Sequence, residues 1–152
     1  MQIQPQARNT KSTVSTERIL PANVQTVFAA FELPNRLAKW WGPIGFTNTF
    51  EQFEFKPGGR WIFVMHGPNG VDFANESVFR EIESDRKVVI EHVAQPWFTL
   101  TVTLTARGDR THLAWDQEFE TPEVAAKMLP LSQTANEQNL DRLEALLAGV
   151  SL

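Results

Sequence analysis

The sequence lacks several patterns that would assign a function directly. It has no cysteine, which excludes disulfides, thiolate nucleophiles and sulfur-ligated metals. No apolar run approaches the roughly 20 residues of a membrane-spanning helix, and the net charge of -4 provides no basic surface for nucleic acid. We therefore expect a cytoplasmic protein that neither inserts into a membrane nor binds nucleic acid.

Catalytic motifs are missing as well. The sequence has no Gly-x-Ser-x-Gly elbow, no phosphate-binding glycine loop and no dinucleotide fingerprint. Its histidines, His66, His92 and His112, fall on different predicted strands, and no His-x-x-x-His pair indicates a metal site. No catalytic residue, metal or cofactor is therefore assigned, and the sequence favours a binding protein over an enzyme.

Apolar aromatic residues, by contrast, are abundant. The chain of 152 residues has 11 Phe and 5 Trp but no Tyr, and its 42% hydrophobic and 21% charged residues are typical of a globular protein. Such rings favour either a bulky core or an apolar cavity. Residues 1–11 are polar and lack the apolar segment of a secretion signal, so we predict a mobile tail there and a single domain over residues 12–149.

Hydrophobic periodicity predicts an α+β fold. A strand over residues 12–20 is followed by two short helices, one from about Asn23 to Phe31 and one from Pro34 to about Trp41. Turn residues then separate six strands that hairpins would join in antiparallel order, over residues 46–55, 60–66, 71–83, 87–93, 97–107 and 111–119. A terminal helix starts after Thr121; Pro130 should break or kink it and leave a longer final piece to about Ala148.

The terminal helix changes character along one face. Leu140, Leu143, Leu146 and Leu147 form an apolar stripe, but one turn earlier the same face has small or polar residues, namely Ser132, Ala135, Asn136 and Asn139. A curved antiparallel sheet of about seven strands wrapped around this helix would satisfy the element order. The small and polar half of the helix would then leave part of the enclosed volume unfilled, which predicts a cavity.

Strand alternation selects the side chains that would line this cavity. Trp61, Phe63 and Met65 share one face of their strand, whereas His92 and Gln117 are polar residues on otherwise apolar faces. Burying either polar group without a partner costs roughly 1–3 kcal/mol, so each should be hydrogen-bonded to protein, water or ligand. The candidate ligand-binding residues are Trp40, Trp41, Trp61, Phe63, Met65, Phe79, Glu81, His92, Trp115, Gln117, Asn136 and Asn139.

Two of these assignments leave alternatives open. Adjacent residues at a helix end point about 100° apart, so one of Trp40 and Trp41 should cap the core while the other lies at the cavity mouth, unless both only hold the short helices on the sheet. Glu81 lies next to the apolar Ile82, which indicates a bulge. Glu81 is therefore either exposed or buried near His92 as a candidate acid or base.

Several motifs, in order along residues 12–148, resemble the activator of heat-shock-protein-90 ATPase homologue-like (AHSA-type) family of the START-like, or SRPBCC, superfamily. They are Leu20-Pro21-Ala22, Trp40-Trp41-Gly42-Pro43, Pro57-Gly58-Gly59-Arg60-Trp61, Val64-Met65-His66-Gly67-Pro68, Phe79-Arg80-Glu81-Ile82, Glu91-His92-Val93 and Leu140-Asp141-Arg142-Leu143. The resemblance implies the helix-grip fold and a hydrophobic cavity for a lipid-like or other amphipathic small molecule. Some members have a glycine and a bulky aromatic where this chain has Ala135 and Asn136, a difference that would enlarge and polarise the cavity.

The leading hypothesis is a binding protein for a hydrophobic or amphipathic small molecule. A second, implied by the resemblance alone, is a chaperone ATPase regulator in the stress response, although the chain lacks the additional partner module that such cochaperones carry. A third is a small cyclase or hydrolase that uses His92 and Glu81. The outward-facing apolar pair Ile62 and Val64 could mark a homodimer interface.

Overall fold

One antiparallel sheet and one long helix form the frame of the molecule. The structure, a computed structural model, describes residues 12–149, so the predicted tail lies outside the described range. The elements in chain order are β1 (Thr13–Leu20), α1 (Val24–Glu32), α2 (Pro34–Trp40), β2 (Thr47–Phe53), β3 (Arg60–His66), β4 (Asp72–Glu83), β5 (Lys87–His92), β6 (Phe98–Arg107), β7 (Arg110–Phe119) and α3 (Pro122–Leu147).

The seven strands follow the order β1-β7-β6-β5-β4-β3-β2 and are antiparallel throughout. Strands β2 to β7 are therefore joined by consecutive hairpins, and β1 pairs with β7 at the far edge. The two short helices lie between β1 and β2, and α3 follows β7. The predicted curved sheet, short helices and terminal helix are confirmed.

N-cap side chains that accept hydrogen bonds from backbone N–H groups fix where α1 and α3 begin. Asn23 Oδ1 accepts the Thr26 N–H at 2.9 Å before α1, and Thr121 Oγ1 accepts the Val124 N–H at 3.2 Å before α3. Such caps satisfy donors that the first helical turn leaves unpaired. Pro34 opens α2 at a position where the missing N–H of proline has no cost.

A register shift interrupts β4 between Phe79 and Glu81 where it pairs with β5. The extra residue, Arg80, lets Phe79 and Ile82 both turn towards the core, although strict alternation would put them on opposite faces. The predicted bulge is therefore confirmed, and Glu81 turns outwards. It is exposed, and its carboxylate accepts a hydrogen bond from Lys87 Nζ at 3.1 Å.

The terminal helix does not break at Pro130. It runs without interruption for 26 residues, so the prediction of two pieces was wrong. Proline removes the N–H that would bond to the carbonyl of Ala126. Both residues are exposed, so water can donate to that carbonyl, and the helix continues.

Ion pairs and the core together hold α3 against the sheet. From β1, Arg18 donates to Glu137 at 2.8 Å and to Asp141 at 2.7 Å, and both carboxylates lie on one side of α3. The main core cluster joins the sheet to all three helices. Its largest fully buried members include Trp40, Trp61, Trp115, Phe31, Phe63, Phe79, Leu20, Leu37, Ile90, Leu100 and Leu113.

Candidate ligand-binding cavity

A central cavity of about 400 Å³ lies between the concave face of the sheet and α3. Its sheet side comes from β3 to β7, and its helix side from the stretch of α3 that contains Ala135, Asn136 and Asn139. The connection between α2 and β2, at Trp41 to Phe46, and the connection between β5 and β6, at Gln95 and Pro96, complete the wall. The volume falls within the range of small-molecule sites, about 300–1,000 Å³.

Most of the predicted site residues line this cavity. They are Trp41, Phe63, Met65, His92, Trp115, Gln117, Asn136 and Asn139. The period-two alternation of the strands accounts for the sheet residues, because each lies on the inward face that the sequence pattern selected. The small and polar half of α3 accounts for the rest.

The adjacent tryptophans divide between core and cavity. Trp40 is fully buried, and its indole N–H donates to the carbonyl of Ala30 at 2.9 Å. Trp41 is 8% exposed and lines the cavity, and its ring packs against those of Trp61 and Trp115 at centroid distances of 5.1 and 5.9 Å. Trp40 is therefore a core residue, whereas Trp41 is a buried residue of the core cluster that also lines the cavity.

The remaining predicted residues lie elsewhere. Trp40, Trp61 and Phe79 are core residues outside the cavity lining. Rings of Phe50, Phe53 and Phe55 pack against Trp61 or Phe79, whereas Trp40 packs against Phe31, Trp41 and Trp115. Glu81 lies outside the cavity because the bulge turns it to solvent beside Lys87. The pairing of Glu81 with His92 is absent, so these two residues form no acid–base site.

His92 is held by protein partners on both sides of its ring. Its Nδ1 lies 2.9 Å from the Pro96 carbonyl oxygen and its Nε2 lies 2.9 Å from Asn75 Oδ1, so both ring nitrogens face protein oxygens and the nitrogen that carries the proton donates. The Asn75 amide N–H in turn donates to the Phe73 carbonyl at 3.0 Å. The imidazole also stacks on Phe98, with a centroid distance of 4.8 Å. The expectation that a buried His92 is hydrogen-bonded is confirmed, and no ring nitrogen remains for a ligand.

Three amide side chains, from β7 and α3, form the polar wall on the helix side of the cavity. Asn136 Nδ2 donates to Gln117 Oε1 at 3.0 Å, and the Gly42 backbone N–H donates to Asn139 Oδ1 at 3.2 Å. The exposed fraction is 9% for Gln117, 8% for Asn136 and 7% for Asn139. Asn136 also borders a smaller depression of about 230 Å³ towards β1. Polar groups of this kind usually orient a ligand in an otherwise apolar site.

Arg142 fixes the loop that carries Trp41. From α3 its guanidinium donates to the backbone carbonyls of Lys39, Trp41, Gly42, Pro43 and Phe46, at distances of 2.8 to 3.1 Å. Burial of the guanidinium lowers the pKa of Arg142 below its usual value. Gly42 has a positive φ of 100°, and a Cβ there would lie 2.7 Å from the Met65 methyl carbon, so the loop approaches β3 closely.

Sequence reasoning missed a group of lining residues on β4 and at the two loops. They are Phe46, Phe73, Asn75, Ser77, Gln95 and Pro96. Asn75 and Ser77 share the inward face with Phe79, a pattern visible in the sequence, but the bulge left the facing of β4 open. Phe73 is 48% exposed and its ring lies 6.0 Å from that of Phe46, so these two rings form the rim.

A second depression, of about 960 Å³, lies on the surface between α2, the start of β2 and α3. We call it the outer groove; charged and exposed side chains such as Lys39, Asp141 and Ile44 contribute to its lining. Its lining residues are all exposed or half-buried. The central cavity, walled by buried side chains, is the stronger candidate.

Residues 12–149 contain neither a metal-binding cluster nor a membrane-spanning helix. No group of three or more His, Asp or Glu side chains in that range could hold a metal ion. None of the helices in the same range combines the length and the apolarity that a membrane crossing requires.

Comparisons with known proteins agree with this architecture. The family model described as Activator of Hsp90 ATPase homolog 1-like protein matches residues 21–148. No curated protein matches the chain. Among solved structures, a protein from Arthrobacter aurescens is 26% identical, with a TM-score of 0.85 over 91% of this chain and 87% of that chain.

Two further structures show the same fold at lower identity. Protein NE0264 from Nitrosomonas europaea is 21% identical, with a TM-score of 0.85 over 92% of this chain and 96% of that chain. A protein from Rhodobacter sphaeroides is 22% identical, with a TM-score of 0.82 over 93% of this chain and 95% of that chain.

A curved antiparallel sheet around a terminal helix, with two short helices after the first strand, defines a helix-grip protein of the START-like superfamily. Within that class, the chain belongs to the family of Activator of Hsp90 ATPase homolog 1-like proteins.

Proposed function

We propose that the protein binds a hydrophobic or amphipathic small molecule in the central cavity. The observation that carries this proposal is a cavity of about 400 Å³ between the sheet and α3 whose wall is mostly aromatic and aliphatic. Burial of apolar ligand surface there would contribute roughly 25 cal/mol per Å². The amides of Gln117, Asn136 and Asn139 would orient the bound molecule.

Two alanines on α3 allow a matched test. Ala135 lines the central cavity, whereas Ala145, also half-buried, lines the outer groove. The wild-type protein is incubated with a mixture of fatty acids, steroids and polyketides, and retained ligands are identified by native mass spectrometry. We expect a ligand that Ala135→Phe no longer retains and that Ala145→Phe still retains.

Two other outcomes would refute the proposed site or the proposed function. Loss of the ligand in Ala145→Phe but not in Ala135→Phe would place binding in the outer groove and refute the proposed site. Absence of any retained ligand from the wild-type protein would refute the proposed function. The melting temperatures of both variants, compared with that of the wild type, establish that each is folded.

The enzyme hypothesis receives no geometric support. His92 has both ring nitrogens engaged by protein partners, and Glu81 is exposed beside Lys87. A hydrolase or cyclase mechanism that uses these two residues would need groups that the described structure does not bring together.

The family description supports regulation of a chaperone ATPase as a second candidate function. A pull-down with the cognate chaperone and an assay of its ATPase rate test this candidate directly. An unchanged rate at saturating protein would exclude it. Ala135→Phe separates the two candidates, because a cavity-filling change should remove small-molecule binding and leave a surface interaction intact.

A further inference from the structure

We propose that the natural ligand is uncharged and has a carbonyl, hydroxyl or amide group that bonds to the amides of Gln117, Asn136 and Asn139. The inference rests on the proposed function of the same cavity and adds the chemical class of the ligand. It excludes carboxylates and phosphates, although these are the polar groups of the commonest amphipathic metabolites.

The first argument is the charge of the wall. Among residues 12–149, no Asp, Glu, Lys or Arg contributes to the lining of the central cavity, and the one ionisable side chain of that lining, His92, has both ring nitrogens facing protein oxygens. A buried carboxylate without a cation is strongly disfavoured, because its hydration is lost and nothing replaces it. An anionic ligand would meet no Lys or Arg side chain among the described residues of this wall.

Arg142 is a candidate for such a cation, but its existing hydrogen bonds make the guanidinium unavailable to a ligand. Both terminal nitrogens of the guanidinium donate to backbone carbonyls of the loop from Lys39 to Phe46. The guanidinium therefore lies behind the loop, and its terminal N–H groups already have acceptors. A ligand carboxylate could reach it only by breaking the bonds that hold the cavity wall.

The second argument is the hydrogen-bonding capacity that remains in the three amides. Asn139 Oδ1 accepts the Gly42 N–H, so its amide nitrogen has no partner among the described residues. Asn136 Nδ2 and Gln117 Oε1 bond to each other, which leaves the Gln117 nitrogen and the Asn136 oxygen unpaired among those residues. If both amides were turned over, one nitrogen and one oxygen would still remain.

The three residues are each more than nine-tenths buried, and their unpaired groups are accessible from the cavity, where water or a ligand can bond to them. The two amide nitrogens can donate to a carbonyl or hydroxyl oxygen of the ligand. The one carbonyl oxygen can accept from a ligand O–H or N–H. A neutral polar group of the ligand can bond to these amide groups without the free-energy cost of burying a charge. A hydrocarbon ligand forms no hydrogen bond with them.

The test uses four ligands with one ten-carbon chain and different head groups: decanamide, decanol, decanoate and decane. Binding at neutral pH is followed by tryptophan fluorescence, since Trp41 and Trp115 line the cavity. We expect decanamide and decanol to bind about tenfold more tightly than decane, the effect of one or two net hydrogen bonds. We expect decanoate to bind at least about tenfold more weakly than decanamide.

Side-chain variants assign the preference to the amides. Replacement of both Gln117 and Asn136 by Leu should retain decane binding, which also shows that the protein is folded, and should remove the preference for decanamide over decane. Gln133→Leu, one turn away on the exposed side of α3, is the matched control and should keep the wild-type preference.

The outcomes separate the two proposals. Decanoate binding as tightly as decanamide, or decane binding equally tightly, would overturn the inference while the proposed function stands. Retention of the decanamide preference in the double Leu variant would also overturn it. Failure of all four compounds to bind would refute the proposed function together with the inference.

Discussion

The two halves of α3 face the same sheet and differ in what they bury. The C-terminal half places Leu140 and Leu143, both fully buried, in the aromatic core cluster with Trp61 and Phe79. The stretch just before it, from Ser132 to Asn139, presents Ser132, Asn136 and Asn139 to the interior, and the cavity lies where the last two face the sheet. We refer to these as the filled half and the open half.

Side-chain volume, rather than backbone geometry, separates the two halves. The helix is continuous and the sheet has one strand order throughout, so no change of architecture marks the boundary. Amides occupy the open half where leucines occupy the filled half. Stability should therefore come mainly from the filled half, whereas the open half should tolerate substitution and determine binding.

The largest expected effect comes from truncation in the filled half. Leu143→Ala removes a fully buried side chain and leaves a void in close-packed surroundings, which should cost about 2–5 kcal/mol of unfolding free energy. Asn136→Ala, seven residues earlier on the same face, loses one hydrogen bond beside an existing cavity and should cost about 1 kcal/mol. Urea denaturation measures both; equal losses would contradict the contrast between the halves.

A smaller effect is expected at the junction of the halves, where Arg142 holds the cavity loop. Arg142→Met would leave several loop carbonyls without their donor and should cost about 2 kcal/mol. Arg142→Lys should recover only part of this loss, because an ammonium has fewer donors and no planar fork. Hydrogen exchange at Gly42 and Phe46 should accelerate in both variants.

Arg86→Met provides the control for Arg142. Its side chain is 76% exposed and pairs with Glu83 at 3.7 Å, so its removal should change stability by less than about 0.5 kcal/mol. If Arg142→Met were as mild as Arg86→Met, the carbonyl contacts would not hold the loop.

The smallest effect concerns pH and the connection beside the open half. The Trp97 indole N–H, at 2.6 Å, and the Arg80 guanidinium lower the pKa of the Glu91 carboxyl below its usual value of 4.5. A lowered folded-state pKa stabilises the protein above the unfolded-state pKa, and this contribution disappears as pH falls through the folded-state pKa. Because Glu91 is partly exposed, solvent screening limits the contribution to less than about 1 kcal/mol.

Trp97→Phe tests this contribution by removing the indole donor. The stability difference between wild type and variant should be larger at pH 7 than at acid pH, as measured by urea denaturation across the pH range. In a Glu91→Gln background the same substitution should have an effect that does not depend on pH. A pH-dependent difference in that background would assign the effect to another group.

Periodicity and turn chemistry were sufficient to predict the strands, the two short helices and the polarity change along α3, because each depends on local pattern. The facing of β4 residues was not predictable, because a bulge reverses alternation and its position depends on pairing with β5. The division between Trp40 and Trp41 required the exact end of α2. The continuity of α3 at Pro130 depended on solvent exposure of the freed carbonyl, which the sequence does not display.

The partners of His92 and Arg142 were also beyond sequence reasoning. His92 bonds to the Pro96 carbonyl across a connection, and Arg142 bonds to carbonyls about one hundred positions earlier in the chain. Backbone acceptors have no residue-type signature, because every residue carries the same carbonyl.

The position of β1 has a consequence for how the chain folds during its synthesis. β1 is made first, yet it pairs with β7, with Thr13 opposite Glu118 and Leu20 opposite Thr111. It must wait until most of the polypeptide has left the ribosome, whereas the hairpins from β2 onwards can form as they emerge. Closure of so long a loop is slow compared with hairpin formation. A chain whose β7 has not yet emerged therefore leaves β1 and one edge of β6 available to neighbouring nascent chains, and this interval is when the protein is most prone to aggregate.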